Sequence, residues 1–219
     1  MKKKSFKMNF MNQEMILSKL NVEFHHDLGI VSAYSLLDGD YNSLPLFGIV
    51  NKKFKEIIPL FPYQQLEKFS ILDKENIILM VKENYASNLY HIIIKDGNIS
   101  WYYLPYHDYR NINDYLLELV DFRQMHSLYD VRERKVITPS FHYISSFEYD
   151  DNYEDVVAQA VYILFYDEEH YNQIVTYINL KGEILMPYLD YDHDFYFDQS
   201  MSLEEVIAIV KENMRGNSR

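Results

Sequence analysis

The densest group of residues with chemical potential is Asp190-Tyr191-Asp192-His193-Asp194-Phe195-Tyr196-Phe197-Asp198. In an extended segment its alternate carboxylates fall on one face, and Asp-x-Asp-x-Asp is how a calcium loop begins. The continuation departs from that loop. Phe195 stands where the sharp turn needs glycine, and Met201 where a bidentate glutamate closes the shell. Asp190, Asp192, Asp194 and Asp198 are thus candidate cation ligands, and the plainer expectation for the segment is an acidic surface loop. His25-His26-Asp27 offers two further ligand types, but adjacent histidines on a strand point to opposite faces. His91, His107, His126, His142 and His170 are scattered without metal-ligand spacing.

No recognised catalytic signature accompanies these residues. The chain has no Gly-x-Ser-x-Gly, P-loop, dinucleotide-binding glycine turn or His-Glu-x-x-His, and most of its six glycines sit in places where turns are expected. It has no cysteine, which excludes disulfides, thiolate nucleophiles and Cys-ligated zinc. No catalytic residue and no cofactor is assigned on this basis.

The charge is lopsided. Residues 148–212 hold 16 of the 33 Asp and Glu, against Lys181 and Lys211, for a net of −14, whereas residues 1–147 balance 17 acids with 17 bases. Phosphate binding needs Lys and Arg, so the acidic third argues against nucleic acid as a direct partner. It suits a protein with a basic surface, attracted electrostatically. The candidate partner-binding residues are Asp150, Asp151, Glu154, Asp155, Asp167, Glu168, Glu169, Asp190, Asp192 and Asp194. No apolar stretch approaches a membrane span. The opening Met1-Lys2-Lys3-Lys4-Ser5-Phe6-Lys7 is basic, but Asn9, Asn12, Gln13 and Glu14 interrupt any apolar segment behind it. The expectation is a cytoplasmic protein with no membrane partner.

The elements that must position these residues show a repeat. Four of the six prolines are followed four residues later by tyrosine: Pro59/Tyr63, Pro105/Tyr109, Pro139/Tyr143 and Pro187/Tyr191. The first copy runs Phe47-Gly48-Ile49-Val50-Asn51 into Lys55-Glu56-Ile57-Ile58-Pro59, and the last runs Val175–Asn179 into Glu183-Ile184-Leu185-Met186-Pro187. Each reads as a hairpin, with apolar runs around a polar turn that carries Gly97 or Gly182 where positive φ is needed. The closing proline cannot donate to a ladder, so it belongs at a strand end or on an edge. Phe69, Phe147 and Phe195 follow as expected core plugs.

The fold class expected is mainly β, built of antiparallel hairpin repeats in a propeller-like or layered arrangement, with a few helices. The chain reads as one repeat-built domain, 1–219, with units at about 28–75, 76–126, 127–156 and 157–198. A short helix is expected at residues 12–20 and an amphipathic one at 111–124, where Ile112, Tyr115, Leu116, Leu119, Val120 and Phe122 form a stripe. A C-terminal helix is expected at about 202–214. It is capped by Ser202-Leu203-Glu204-Glu205 and followed by Gly216.

These hairpins resemble the bacterial WG-repeat family. Phe47-Gly48 stands for the Trp-Gly, Lys55-Glu56-Ile57-Ile58-Pro59 for the Glu-Ile-Ile-Pro segment, and Tyr191-Asp192 for the Tyr-Asp. The resemblance spans about residues 44–197 and is degenerate, since no Trp-Gly occurs. It implies the architecture of a β-repeat or interaction module and no particular chemistry. The resulting expectation is a non-enzymatic protein-binding module whose acidic third faces a basic partner. Two alternatives are an acidic inhibitor or immunity-type protein that blocks a toxin or nuclease, and a cation-dependent hydrolase centred on Asp190, Asp192 and His193.

Overall fold

The computed structural model describes residues 7–10, 13–25, 28–35, 44–51, 56–62, 66–83, 86–96, 98–165 and 171–217. The chain divides into two compact units, Met1–His107 and Asp108–Arg219.

The first unit holds two antiparallel meanders. β1 (Lys7–Phe10), β2 (Gln13–His25), β3 (Leu28–Ser35), β4 (Leu44–Asn51) and β5 (Glu56–Pro62) form a five-stranded sheet in sequence order. β6 (Leu66–Ile71), β7 (Asn76–Glu83), β8 (Ala86–Lys95) and β9 (Asn98–Leu104) form a four-stranded one. The two sheets share a core of Leu28, Phe47, Ile49, Ile58, Ile77, Leu79, Val81 and Ile92. The Phe47 and Phe69 rings meet there at 5.3 Å.

The second unit repeats the theme. β10 (Asp108–Asn111), β11 (Leu116–Val120), β12 (His126–Asp130) and β13 (Lys135–Val136) make a four-stranded meander. β14 (Tyr143–Ile144), β15 (Glu148–Asp150), β16 (Asp155–Phe165), β17 (Tyr171–Asn179), β18 (Leu189–Asp190) and β19 (Phe195–Tyr196) make a six-stranded sheet. Its order is β14-β16-β17-β18-β19, with β15 also paired to β16. α1 (Leu203–Asn217) lays Leu203, Val206 and Val210 onto a core with Leu116, Leu128, Phe141, Ala158, Ala160, Ile174 and Ile178. Mainly antiparallel β with a C-terminal helix is what the sequence led us to expect, and within each unit the sheets are layered.

Each proline hairpin forms. Pro59 lies in edge strand β5, beside a register shift between Phe47 and Ile49 on β4, where a missing N–H costs little. Pro105, Pro139 and Pro187 fall just outside strands. Gly182 takes φ +78° in the turn after β17, whereas Gly97 lies outside the described residues.

Two expected helices are strands. Residues 12–20 fall largely in β2, which pairs with β1 and β3 along a ladder reaching His25. Leu20, Val22 and Phe24 alternate with Asn21 and Glu23, a period of two that a nine-residue window conceals. Residues 111–124 contain β11, hydrogen-bonded to β10 on one side and β12 on the other. A central strand buried on both faces is largely apolar, here with only the buried Glu118 between leucines, and over five residues such a run is indistinguishable from a helical stripe. α1 is thus the one helix among the described residues. Its capping box forms as expected: the Ser202 amide donates to Glu205 Oε2 at 2.8 Å and the Glu205 amide to Ser202 Oγ at 3.3 Å. Gly216 lies inside the final turn rather than after it. Among the plugs, Phe195 is 57% exposed and its neighbour Phe197 takes the core position at 7%.

Candidate binding site on the outer face of the six-stranded sheet

β16 is the strand around which the site is built. Ala158 and Ala160 face the core, so Asp155, Val157, Gln159 and Val161 face the other side. The registers carry this outer face across the sheet. Glu148 stands opposite Val157, Asp150 opposite Asp155, Tyr143 opposite Val161, and Tyr177 opposite Gln159. Tyr196 pairs with Leu189, which pairs with Val175 opposite Val161, so Tyr196 shares the face.

The edge beyond β16 is split. β14 and β15 pair with different stretches of it, and Ser145 sits between them. The Ser145 amide donates to Gln159 O at 2.9 Å, and the Gln159 amide donates to Ser145 Oγ, also at 2.9 Å. The hydroxyl in turn donates to Ser146 O at 3.0 Å. A side-chain oxygen thus replaces a backbone carbonyl in the ladder there. Further along, the Ile163 amide donates to His142 Nδ1 at 3.0 Å, a second side-chain substitute. That bond requires the neutral imidazole. Burial, with His126 nearby, holds the His142 pKa below its usual value, consistent with that role.

A cleft of about 420 Å³ at this edge is lined by Tyr143, Ser145, Ser146, Glu148, Tyr149, Asp150, Val157, Gln159 and Tyr177. Tyr143 is 52% exposed and Tyr149 64%. The Tyr177 ring meets that of Tyr153 in a tilted contact, centroids 5.6 Å apart. Burial pushes the Tyr153 phenol upward, with Tyr177, Asp150 and Tyr196 adding to it, which ties these rings and the carboxylate into one neighbourhood. The lining contains carboxylates and no lysine or arginine. A second cleft, about 480 Å³, lies against α1 between Arg123, Met125, Ser140, His142, Tyr162, Leu203, Glu204 and Ile207. Its one arginine is already paired with Asp121 at 3.3 Å.

The expected site residues separate into two groups on opposite edges of this sheet. On the β15–β16 side, Asp150 lines the cleft and its Oδ1 accepts the Asn152 amide at 2.8 Å. Asp151 and Glu154 are exposed in the turn, Glu154 at φ +50°. Asp155 accepts from Val156 N at 2.7 Å and from Asn179 Nδ2 at 3.1 Å. On the β18–β19 side, Asp190 is buried, accepting from Asn172 Nδ2 at 3.2 Å and meeting His193 Nδ1 at 3.0 Å. Asp192 Oδ2 accepts the Gln173 amide at 2.8 Å. Asp194 is exposed at φ +49°, and Asp198 caps the turn through the Ser200 amide at 2.9 Å. Asp167, Glu168, Glu169 and His170 lie outside the described residues. Asp190, Asp192 and Asp198 are thus each tied to a different turn or strand partner. Among the described residues no group of three or more His, Asp or Glu is placed to hold a metal ion.

Sequence reasoning did not pick out Glu148, Tyr143, Tyr149, Gln159 or Tyr177 as a group. The available signal was the alternation of small and larger residues along 157–161, which assigns Gln159 to the face away from the core. No protein-family model matches the chain, and no curated protein matches it either. No helix among the described residues is long and apolar enough to cross a membrane.

Proposed function

We propose that this chain is a protein-binding module without catalytic activity, and that the acidic, tyrosine-rich outer face of its C-terminal sheet engages a partner with a basic surface. The observation that carries this reading is the cleft at the split edge, where Tyr143, Tyr149 and Tyr177 stand beside Glu148 and Asp150 with no basic residue in the lining. Tyrosine supplies contact area at little entropic cost, and uncompensated carboxylates steer a cationic partner. The WG-repeat assignment belongs to the same proposal, supported by four hairpins that each lead into proline and then tyrosine. A chain of this size without cysteine favours a cytoplasmic setting.

The test is capture from host lysate on immobilised full-length protein, at about 50 mM and about 500 mM salt. The triple variant Glu148→Gln, Asp151→Asn, Glu154→Gln serves as control, since all three side chains are exposed. A basic protein retained at low salt, released at high salt and missed by the variant is the expected result. Capture that ignores both salt and variant would overturn the reading, as would no capture. The narrower form, an immunity-type inhibitor, differs only in the partner: the captured protein would be a toxin or nuclease whose activity falls when the chain is added.

A further inference from the structure

We infer that the cleft between Tyr143, Tyr149 and Tyr177 is a receptor for a single arginine side chain of the basic partner, held between tyrosine ring and carboxylate. This rests on the binding reading above and assigns the chemistry of its anchor.

The protein already contains the contact the cleft lacks. In the same unit, the Arg132 guanidinium carbon lies 3.8 Å from the Tyr115 ring centroid, while its Nη2 donates to Asp130 Oδ2 at 3.1 Å. Ring face and carboxylate together satisfy a guanidinium: the plane is attracted to the π cloud and the edge donates to oxygen. The cleft presents both halves. Tyr143, Glu148, Gln159 and Tyr177 share the outer face by register. The Glu148 carboxylate makes no hydrogen bond or ion pair among the described residues, and neither do the Tyr143 and Tyr149 hydroxyls. One Asp150 oxygen is committed to Asn152 N and the other is free to accept. A volume of about 420 Å³ takes one long side chain and not a folded element.

Arginine is favoured over lysine on geometric grounds. Lysine carries a compact, strongly hydrated charge that gains little from a flat ring, whereas guanidinium stacks and donates in a fork. A metal ion is disfavoured by the donor set, because the carboxylates here are interleaved with phenols and an amide.

The test uses the full-length protein and blocked tetrapeptides of arginine, lysine and glutamine, titrated by calorimetry with tyrosine ring resonances followed in parallel. Tetra-arginine should bind, tetra-lysine at least about threefold more weakly and tetra-glutamine not at all. Glu148→Gln and Tyr143→Ser should each weaken the arginine peptide by about tenfold, with melting temperature unchanged because both side chains are exposed. Asp194→Asn removes the same charge from the opposite edge of the sheet and should leave the affinity unaltered. Equal binding of arginine and lysine peptides, or equal losses in Glu148→Gln and Asp194→Asn, would reduce the effect to net charge and overturn the inference. Binding of a neutral oligosaccharide such as cellohexaose, with no response to arginine, would overturn it too. Partner capture from lysate that survives the cleft variants but not high salt would sink the arginine receptor and leave the broader reading standing.

Discussion

At the scale of single residues, the recurring device is an Asp or Asn whose side-chain oxygen closes a hairpin loop. Asp73 accepts the amides of Glu75 and Asn76, Asn113 those of Tyr115 and Leu116, Asp121 those of Arg123 and Met125, and Asp130 those of Arg132 and Glu133. Asn179 does the same for Lys181 and Glu183. Such side chains offer the backbone an alternative to the ladder, so they end strands at defined places. Two of these carboxylates, Asp121 and Asp130, are sensitive to acid. Burial alone would raise the pKa of Asp121, but the Met125 and Arg123 amides and the Arg123 side chain hold it below 3.8. Burial likewise opposes, and Arg132 with the Glu133 amide overcomes, in Asp130. A depressed folded pKa means stability present above the unfolded value and lost as pH falls through the folded one. The double variant Asp121→Asn, Asp130→Asn should therefore lose less melting temperature than the parent when acidified below about pH 4. His142 obeys the same sign in a higher window. Its pKa is lowered from 6.5, so the support it gives Ile163 is complete above that pH and fades on acidification. His142→Asn should flatten the stability profile just below pH 6.5, read by urea midpoints. Gly182 is constrained twice: φ is +78°, and an added Cβ would stand 2.6 Å from the Ile137 carbonyl oxygen. Gly182→Ala should cost about 2 kcal/mol or more, lowering the melting temperature by at least about 4 °C.

At the scale of elements, the reassignment of 111–124 from helix to strands yields a sharp contrast. Leu116 is fully buried on a central strand, whereas Phe122, on the expected helical stripe, is 64% exposed in the loop beyond it. Leu116→Ala should cost about 2–5 kcal/mol and Phe122→Ala under about 0.5 kcal/mol, measured by chemical denaturation. A buried helical stripe would have made both costly. Removing the cap of α1 with Ser202→Ala should cost about 1 kcal/mol. What could be read in the sequence follows from the range of the forces involved. The hairpins were legible because Asn, Gly and Pro act within a few residues of themselves, and Ser202 with Glu205 is likewise a local signal. β2 and β11 were not, because their strand character comes from neighbours on both sides, and pairing across a sheet leaves little trace in a short window. The site was half legible. Charge counting located the acidic third and named Asp150, but the rings beside it are set by strand register and by the hydroxyl of Ser145.

At the scale of the whole molecule, each of the two compact units carries its own core. That of Asp108–Arg219 is assembled from two sheets and α1, with no residue before 112 among the described residues. A 108–219 fragment should therefore unfold in a single cooperative transition with its near-ultraviolet signal intact beforehand, and a gradual melt would show that the core depends on the first unit. The distribution of charge has the same division of labour, since the acidity gathers on the second unit while the first 147 residues are balanced. The split edge of the six-stranded sheet has one more consequence. β16 is an 11-residue strand, and a partner strand of matching length would offer its own outer edge as a template for another copy of the chain, the first step of fibrous aggregation. β14 and β15 are too short to offer one, and Ser145 and His142 occupy the Gln159 and Ile163 amides that neither strand pairs. The interruption that makes room for one foreign side chain is also what stops the sheet from growing.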